Sequence, residues 1–425
     1  MVYVLFILFF VLVFLGVPIS ITLGISSVGA LALCSDYELV ICCQKMFQSV
    51  NSFPLMAIPF FMLAGSLMSG GGISRRIVAW CETLIGHVTG GLAMVGILAC
   101  MIFASISGSA VATVAAIGGL LIPEMKKRQY PPEFSTAIMT AAGTMGPIIP
   151  PSIGFVLYAS MANVSVKDMF LGGYIPGIMM GLALMVFAYI EAKRRKYPKK
   201  ETRSTAREVL VSTKDAVLAL ITPIIIIGGI MFGIFSPTEA GAIACFYAWI
   251  IGAFVYKELS FKKLIAALKD AAITSTVCLY LICTASIFSW ILTAERVPQA
   301  VAAAFLAVTK SKYVILLLLN LLLLIVGMFI DATPAIIMLT PVFVPLMQQL
   351  GVDLVHFGVF MELNLCIGLL TPPVGSCLFV GCKVGDIPIG SLIRRIVPLI
   401  AVLVFVCLLV TYIPWTVTFL PRVFN

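Results

Sequence analysis

Two short segments of the 425-residue sequence combine hydroxyl, small and turn-forming residues inside apolar surroundings: Ser105-Ile106-Ser107-Gly108-Ser109-Ala110 and Phe329-Ile330-Asp331-Ala332-Thr333-Pro334. Each follows an apolar arm of about 15 residues, roughly 22 Å of helix at about 1.5 Å per residue, enough to pass the middle of a bilayer. Small residues and glycine let the chain turn there and leave carbonyl oxygens free. A second pair of irregularities is Gly143-Thr144-Met145-Gly146-Pro147-Ile148-Ile149-Pro150-Pro151 and Gly368-Leu369-Leu370-Thr371-Pro372-Pro373. Adjacent prolines must unwind a helix, because proline lacks the backbone donor and clashes with the preceding turn. Unwound backbone at membrane depth is tolerated only where protein buries it or a wet cavity reaches it. Carbonyls and hydroxyls at a tip, facing carbonyls at a break, form an oxygen cage that suits a hard cation, while nearby helix N-termini attract an anionic group. Two such pairs predict at least two cations, and sodium fits neutral oxygen ligands.

A proton as the coupling ion needs titratable groups, and the candidates are Asp331 and Glu362. Asp331 is the clearest functional acid, since an intramembrane carboxylate is a functional-site hypothesis by default; the lesser reading is a tip cap on backbone N–H groups. Glu362 faces an aqueous cavity, a partner helix, or only a polar seam with Asn364. Ser107 and Ser109 could be small packing residues or hydroxyls bonded to their own helix. The tip position and the matching Asp331 and Thr333 favour ligands.

Other chemistries are excluded by what the chain lacks. No Gly-x-x-x-x-Gly-Lys-[Ser/Thr] occurs, so the chain is not expected to hydrolyse ATP itself. No His-Glu-x-x-His or Gly-x-Ser-Gly occurs, the two histidines (His87 and His356) are far apart, and no enzymatic activity is expected. The twelve cysteines include no Cys-x-x-Cys and lie mostly in apolar stretches, where they behave as small hydrophobes, so a transition-metal or haem site is not expected. The net charge of +9 sits in short clusters between apolar stretches, the positive-inside pattern of membrane proteins and not a nucleic-acid surface.

The elements that must hold these residues are membrane helices. Hydrophobic residues make up 61% and charged residues 11% of the chain, against about 25% charged in soluble domains, and mean hydropathy is +1.15. Apolar stretches lie at 2–33, 53–68, 92–122, 134–161, 171–192, 216–256, 273–293, 313–346, 357–380 and 396–418. The first lacks the charged start of a cleavable signal and is expected to be membrane helix. Gly16-Val17-Pro18 and Phe235-Ser236-Pro237 divide two of the stretches into helix pairs. Ser236-Pro237-Thr238-Glu239 is a capping-box start, which makes Glu239 a cap and not a functional carboxylate. The densest basic cluster (Lys193, Arg194, Arg195, Lys196, Lys199, Lys200, Arg203) is expected in the cytoplasm. Arg75-Arg76, Lys126-Lys127-Arg128, Lys257/Lys262/Lys263 and Arg394-Arg395 then fall inside. Asp36, Glu38, Glu295 and Asp353 fall outside, and both termini come out periplasmic. The count closes only if 92–122 and 313–346 are re-entrant hairpins.

An internal repeat supports the hairpins. Shifted back by 222 residues, Pro345-Leu346-Met347 falls on Pro123-Glu124-Met125, Met361 on Met139, Gly368 on Gly146, Pro372-Pro373 on Pro150-Pro151 and Pro398 on Pro176. An odd number of crossings separates equivalent points, so the repeats are inverted. Inverted repeats with helix breaks at matching places mark the central site of a secondary transporter. The fold class is therefore an all-α polytopic membrane protein whose inverted repeats each carry a re-entrant hairpin and a broken transmembrane helix. Two amphipathic stretches, 74–87 with Trp80 and 258–269 with Lys262, Lys263 and Lys269, are expected along the membrane surface, either as braces for a moving unit or as plain surface helices.

Five motifs carry a resemblance across essentially the whole chain. They are Phe53-Pro54-Leu55-Met56-Ala57-Ile58-Pro59-Phe60-Phe61-Met62-Leu63-Ala64-Gly65, Ser107-Gly108-Ser109-Ala110, Gly146-Pro147-Ile148-Ile149-Pro150-Pro151-Ser152, Pro237-Thr238-Glu239-Ala240 and Leu370-Thr371-Pro372-Pro373-Val374-Gly375. The chain resembles the large membrane subunit of tripartite ATP-independent periplasmic (TRAP) transporters. The resemblance implies an elevator-type transporter of the ion-transporter superfamily in the bacterial inner membrane, a sodium-coupled importer of sialic acid or C4-dicarboxylates. It implies two partners, a small four-helix membrane subunit and a soluble periplasmic substrate-binding protein, and no ATPase.

Carried onto this chain, the resemblance implies a first sodium site of Ser107, Gly108, Ser109, Thr144 and Gly146, and a second of Asp331, Thr333, Gly368 and Thr371. Substrate sits between the tips, near Ser105, Pro147, Pro150, Pro151, Pro372 and Pro373. The implied organisation is scaffold at 1–72, an amphipathic arm at 73–91, transport unit at 92–193 and a basic cytoplasmic linker at 194–214. A second scaffold at 215–293 follows, with an amphipathic helix at 258–272, then an arm at 294–312 and the second half of the transport unit at 313–425. A stand-alone proton- or sodium-coupled symporter or antiporter of the same fold, without a binding protein, is the alternative.

Overall fold

The computed structural model describes residues 1–35, 37–197 and 203–424, and every regular element among them is helical. Asp36, Lys199 and Lys200, used above to orient the chain, lie outside the described residues. In chain order the helices are α1 (Val2–Phe14), α2 (Ile19–Cys34), α3 (Val40–Val50), a 3-10 turn Phe53–Met56, α4 (Ala57–Gly70) and α5 (Ile73–Ile85). The first hairpin is α6 (Gly91–Ser107) and α7 (110–127, with a π-helical stretch Val114–Gly118). The first broken helix is α8 (Pro132–Gly143) and α9 (Ile153–Ala162), closed by α10 (Val166–Arg195). Next come α11 (Ala206–Met231), α12 (Pro237–Ile250), α13 (Phe261–Ala294) and α14 (Val297–Val308). The second hairpin is α15 (Lys312–Phe329) and α16 (Ala332–Gln349), and the second broken helix is α17 (Leu354–Gly368) and α18 (Ser376–Gly385). The chain closes with α19 (Ile389–Tyr412) and α20 (Trp415–Phe424).

The 222-residue shift now has a structural meaning. It carries 91–107 onto 313–329 and 110–127 onto 332–349, the limits of α15 and α16 to within one residue. The halves of the broken helices also correspond: α9 falls on α18 to within one residue, and α8 starts where α17 does but ends three residues short of it. Among the described residues, eight stretches are long and apolar enough to cross a membrane, including Val166–Arg195, Phe261–Ala294 and Ile389–Tyr412. Exposed Phe14, Phe47, Ile224, Phe246, Val277 and Phe405 form part of an apolar exterior that water does not suit and lipid does. The expected division at Gly16–Pro18 is present, but α1 and α2 have 13 and 16 residues. At about 20 and 24 Å each, neither alone matches a hydrocarbon core of about 30 Å. They pack on each other, and α2 packs on α13.

Two local readings have clear outcomes. Ser236 accepts from the backbone N–H of Glu239, whose carboxylate accepts from the Ser236 N–H at 2.7 Å, so the capping box that starts α12 is formed. Of the amphipathic stretch 258–272, set apart as its own helix on sequence grounds, residues 258–260 precede the helix, and 261–272 run without interruption into the next apolar stretch as the 34-residue α13. In the first repeat the corresponding region is split into α3 and α4 at the Phe53–Met56 turn. Pro54 and Pro59 stand there, whereas residues 261–294 contain no proline to stop the helix.

The helices pack in two groups. In one, α4 lies against α12 and α13, and α13 against α2 and α3; in the other, α8 lies against α6, α18 and α19, and α17 against α9, α15 and α19. The groups meet where α4 touches α6 and α9, and where α13 touches α16. Arm α5 bridges them, packing on both α11 and α6. Trp80 of this arm, expected at a headgroup belt, donates its indole N–H to Thr213 of α11 at 3.0 Å. The arm's start is fixed by Glu258, which pairs with Arg75 at 2.5 Å and Arg76 at 2.7 Å, while Arg76 also stacks on the Tyr256 ring at 3.7 Å. Its far end is tied to the first hairpin's base by Arg128, which reaches Glu82 at 2.8 Å and Glu124 at 3.1 Å.

Partial burial pushes the Glu258 carboxyl up, but hydrogen bonds from Arg76 and Arg75 outweigh it and hold the group below its ordinary value. A carboxylate with a depressed folded-state pKa contributes stability above its unfolded pKa and loses it as pH falls through the folded one. Glu258→Gln is therefore expected to cost about 0–1 kcal/mol at neutral pH, the range for partly exposed pairs. The gap to wild type should close below about pH 4, as followed by thermal unfolding in detergent.

Candidate functional site

The first tip forms where α6 ends at Ser107 and the chain reverses through Gly108, whose φ of +60° is the left-handed region that glycine enters without strain. A Cβ at Gly108 would also stand 2.8 Å from the Pro151 carbonyl oxygen, so the tip rests on the first break. Ser109 is extended and starts α7 as its N-cap, accepting from the Ala112 N–H at 3.4 Å. The Ser107 hydroxyl lies 2.9 Å from that of Thr113, which donates to the Ser109 carbonyl at 2.8 Å.

The facing break runs from the end of α8 at Gly143 through Thr144 and Pro147 to a cis Pro150-Pro151 bond. Ser152 then caps α9 by accepting from the Phe155 N–H at 3.2 Å. A Cβ at Gly146 would lie 2.5 Å from the Ser109 carbonyl oxygen, so two stretches of backbone touch here with no side chain between them. The structure thus brings Ser107, Gly108, Ser109 and Gly146 together. Thr144 lies in the first turn of the same break, its hydroxyl donating to the Ala141 carbonyl at 2.7 Å and leaving its lone pairs to accept.

The second tip is built alike. After α15, Ile330 is extended and Asp331 holds the N-cap position of α16, but its side chain makes no cap hydrogen bond. The break after α17 contains Thr371 and a cis Pro372-Pro373 bond. It is pinned to the hairpin by Val374 N–H donating to the Met328 carbonyl at 3.2 Å, and by Gly368, where a Cβ would come within 2.4 Å of the Gly327 backbone. The Thr371 hydroxyl donates to the Ile367 carbonyl at 3.2 Å. Asp331 and Thr333 sit at the head of α16, with Asp331 exposed and Thr333 half-buried.

The two assemblies differ in access. Residues 141–152 are buried throughout, and Gly65 of α4 backs the first tip so closely that a Cβ there would lie 3.2 Å from the Ser107 Cα. At the second, Asp331, Pro373 and Val374 are exposed, and Thr371 and Pro372 half-buried. Ser105, placed near substrate by the resemblance, is buried with its hydroxyl donating to the Ile102 carbonyl of its own helix at 2.6 Å. Pro147, Pro150 and Pro151 are likewise inside the protein.

Sequence reasoning did not anticipate the buried amide pair behind the second hairpin. Asn364 of α17 donates to the Asn320 carbonyl oxygen at 2.6 Å, which also accepts from Thr411 of α19 at 3.1 Å. The signal was present, since Asn320 is the one polar side chain in the run 314–326. Of the three surroundings open to Glu362 (an aqueous cavity, a partner helix or a polar seam with Asn364), the structure shows a partner helix: the carboxyl is buried against Gly154 of α9.

Residues 6–416 match the family described as "Tripartite ATP-independent periplasmic transporter, DctM component". The chain is 44% identical over 411 residues to the isethionate TRAP transporter permease protein DctMQ of Oleidesulfovibrio alaskensis, covering 97% of this chain and 65% of that relative's length. It is 39% identical over 416 residues to the sialic acid TRAP transporter large permease protein SiaM of Vibrio cholerae, covering 97% and 96%. It is also 39% identical to the C4-dicarboxylate TRAP transporter large permease protein DctM of Pseudomonas aeruginosa, covering 94% of each. Among solved structures, the YdaH transporter of Alcanivorax borkumensis shares the fold with a TM-score of 0.62 at 16% identity, covering 90% of each chain.

Close backbone approach at both breaks sets a packing test. A Cβ at Gly146 or Gly368 meets backbone that cannot swing aside, and overpacking costs about 1–3 kcal/mol. Gly146→Ala and Gly368→Ala should each lower the melting temperature by several degrees. Gly228→Ala, with nothing within 4 Å, should not.

Proposed function

Because the chain belongs to the DctM component family of tripartite ATP-independent periplasmic transporters, we propose that it is the sodium-coupled permease of such a system and imports a small organic anion. The observation that carries the reading is the pair of tip-and-break assemblies, each presenting unwound backbone and hydroxyl oxygens inside a membrane protein. Ser107, Gly108, Ser109, Thr144 and Gly146 would hold one sodium ion through neutral oxygens. Asp331, Thr333, Gly368 and Thr371 would hold another, with one carboxylate in the set. Hard cations take such oxygen ligands.

The substrate's anionic group meets no lysine, arginine or histidine at 105–110, 143–153, 329–334 or 368–376. Its charge is offset by the bound cations and by the N-termini of helices such as α9. Relatives named for isethionate, sialic acid and C4-dicarboxylates share an acidic head group and little else, which suits a site that recognises charge with backbone. In the proposed cycle the hairpins and broken helices (92–192 and 313–418) move as one block against the scaffold (2–72 and 216–293), and the arms α5 and α14 flex between them. Each net positive charge carried inward gains about 2.3 kcal/mol per 100 mV. The proposed setting is the bacterial inner membrane with both termini periplasmic. The proposed partners are a small membrane subunit and a periplasmic substrate-binding protein.

The test is uptake of labelled sialic acid, succinate or isethionate into proteoliposomes holding the permease and its small subunit, each with its binding protein, with and without an inward sodium gradient. Uptake is expected to need both sodium and the binding protein. Asp331→Ala and Ser109→Ala should each raise the sodium concentration for half-maximal uptake by tenfold or more, given about 1.5–3 kcal/mol for a lost charged contact. Unchanged sodium dependence in both variants would refute the cages. Sodium-driven uptake without the binding protein would mean a stand-alone symporter.

A further inference from the structure

The cages leave one buried acid unused. Glu362 lies midway along α17 and is 2% exposed. Its Oε1 faces the Cys366 thiol one turn on, at 3.7 Å, and its Oε2 has no hydrogen-bond partner among the described residues. Across from it is Gly154, the second residue of α9, where a Cβ would stand 2.4 Å from Oε1 and 2.5 Å from Oε2. Only a residue without a side chain admits the carboxyl here.

The side chains of the helices packed on α17 bring little to neutralise a charge, although the N-terminal turn of α9 at Gly154 favours one. On α9 the one ionisable group is Tyr158, whose hydroxyl donates to the Leu354 carbonyl at 2.7 Å. α16 has none, and Cys407 of α19 is turned to Asn320 at 3.5 Å. Lys167, Asp168 and Tyr174 lie in the first turns of α10, and the other ionisable groups of α10, α15, α19 and α20 lie toward helix ends. An isolated carboxylate in such surroundings is costly. The carboxyl lies so close on Gly154 that a metal ion does not fit between them, whereas a proton needs no room.

Its position joins the two cages. α17 runs from Glu362 into the second break at Gly368 and Thr371. From Gly154 the chain runs back through the start of α9 and its cap Ser152 to Pro151, whose carbonyl faces Gly108 of the first tip. A negative charge at this crossing, in low dielectric, favours cations in both. We propose that Glu362 is a proton-binding site that exchanges with the coupling cations. It holds a proton when the cages are empty and releases it to water, leaving a carboxylate, when cations bind. The returning empty carrier then takes a proton in the opposite direction. This rests on the sodium cages proposed above.

The experiment is sodium-dependent uptake by the permease with its small subunit and binding protein between pH 6.5 and 8.5. In wild type the sodium concentration for half-maximal uptake should fall several-fold as pH rises, with one exchanging proton setting a limit of about tenfold per pH unit. Glu362→Gln should flatten that dependence, and Glu362→Asp should restore it. Should the glutamine variant not fold, dye-reported proton release on adding sodium to purified wild type replaces it, and absence of release overturns the proposal. Equal slopes in wild type and Glu362→Gln, with uptake still requiring sodium, overturn the role of Glu362 alone. Uptake indifferent to sodium overturns the cages and this proposal together.

Discussion

A peptide group inside a bilayer has no water to bond, so every N–H and C=O that leaves a helix must find a partner in the protein or a reason to be free. That constraint organises this molecule. Each hairpin tip is pressed on the break of the following helix, Gly108 against Pro151 and Gly327 against Gly368. Four interruptions, each ruinous alone in lipid, thereby become two compact knots of backbone. Hydroxyls at the tips close part of the account locally, as Thr113 does for the Ser109 carbonyl. The oxygens left over are where ions are proposed to bind, so the same unpaired carbonyls pose a folding problem and offer a functional site.

Around the knots the two repeats supply the same parts unequally. In the first, Pro54 and Pro59 split the surface helix from the span, and α4 then backs the tip through Gly65. In the second, a proline-free run makes α13 one rod, and the tip at Asp331 stays open. A closed assembly and an open one within a single conformation are what inverted repeats produce when one sequence departs from the other at a few helix-breaking residues. The arm α5, held by Glu258 at one end and Arg128 at the other, links the two groups with ion pairs that cost little to break. That suits a joint better than a core.

Much was legible in the chain because helix breakers speak locally. Proline and glycine positions marked both breaks and the division at Gly16–Pro18, and with the hydroxyl and acidic residues beside them the hairpin turns and the start of α12, since each acts through nearby backbone. The 222-residue repeat was legible for the same reason, as the halves share little besides those residues. The difference in exposure between the two assemblies was not legible, because burial depends on which helix passes in front. The separate helix at 258–272 failed because amphipathic pattern marks a face, not an end, and nothing at residues 270–276 stops a helix.

The sequence by itself determined the class of molecule: an apolar chain whose breaks recur in register can only be a membrane protein with paired irregular centres. Tertiary structure alone decided which oxygens share a centre, that Asn320 meets Asn364 across 44 residues, and that Glu362 faces Gly154 from the other repeat. Local residue types set where a backbone turns. Partners that lie far apart in sequence are chosen only when the helices pack, and packing is a property of the whole chain.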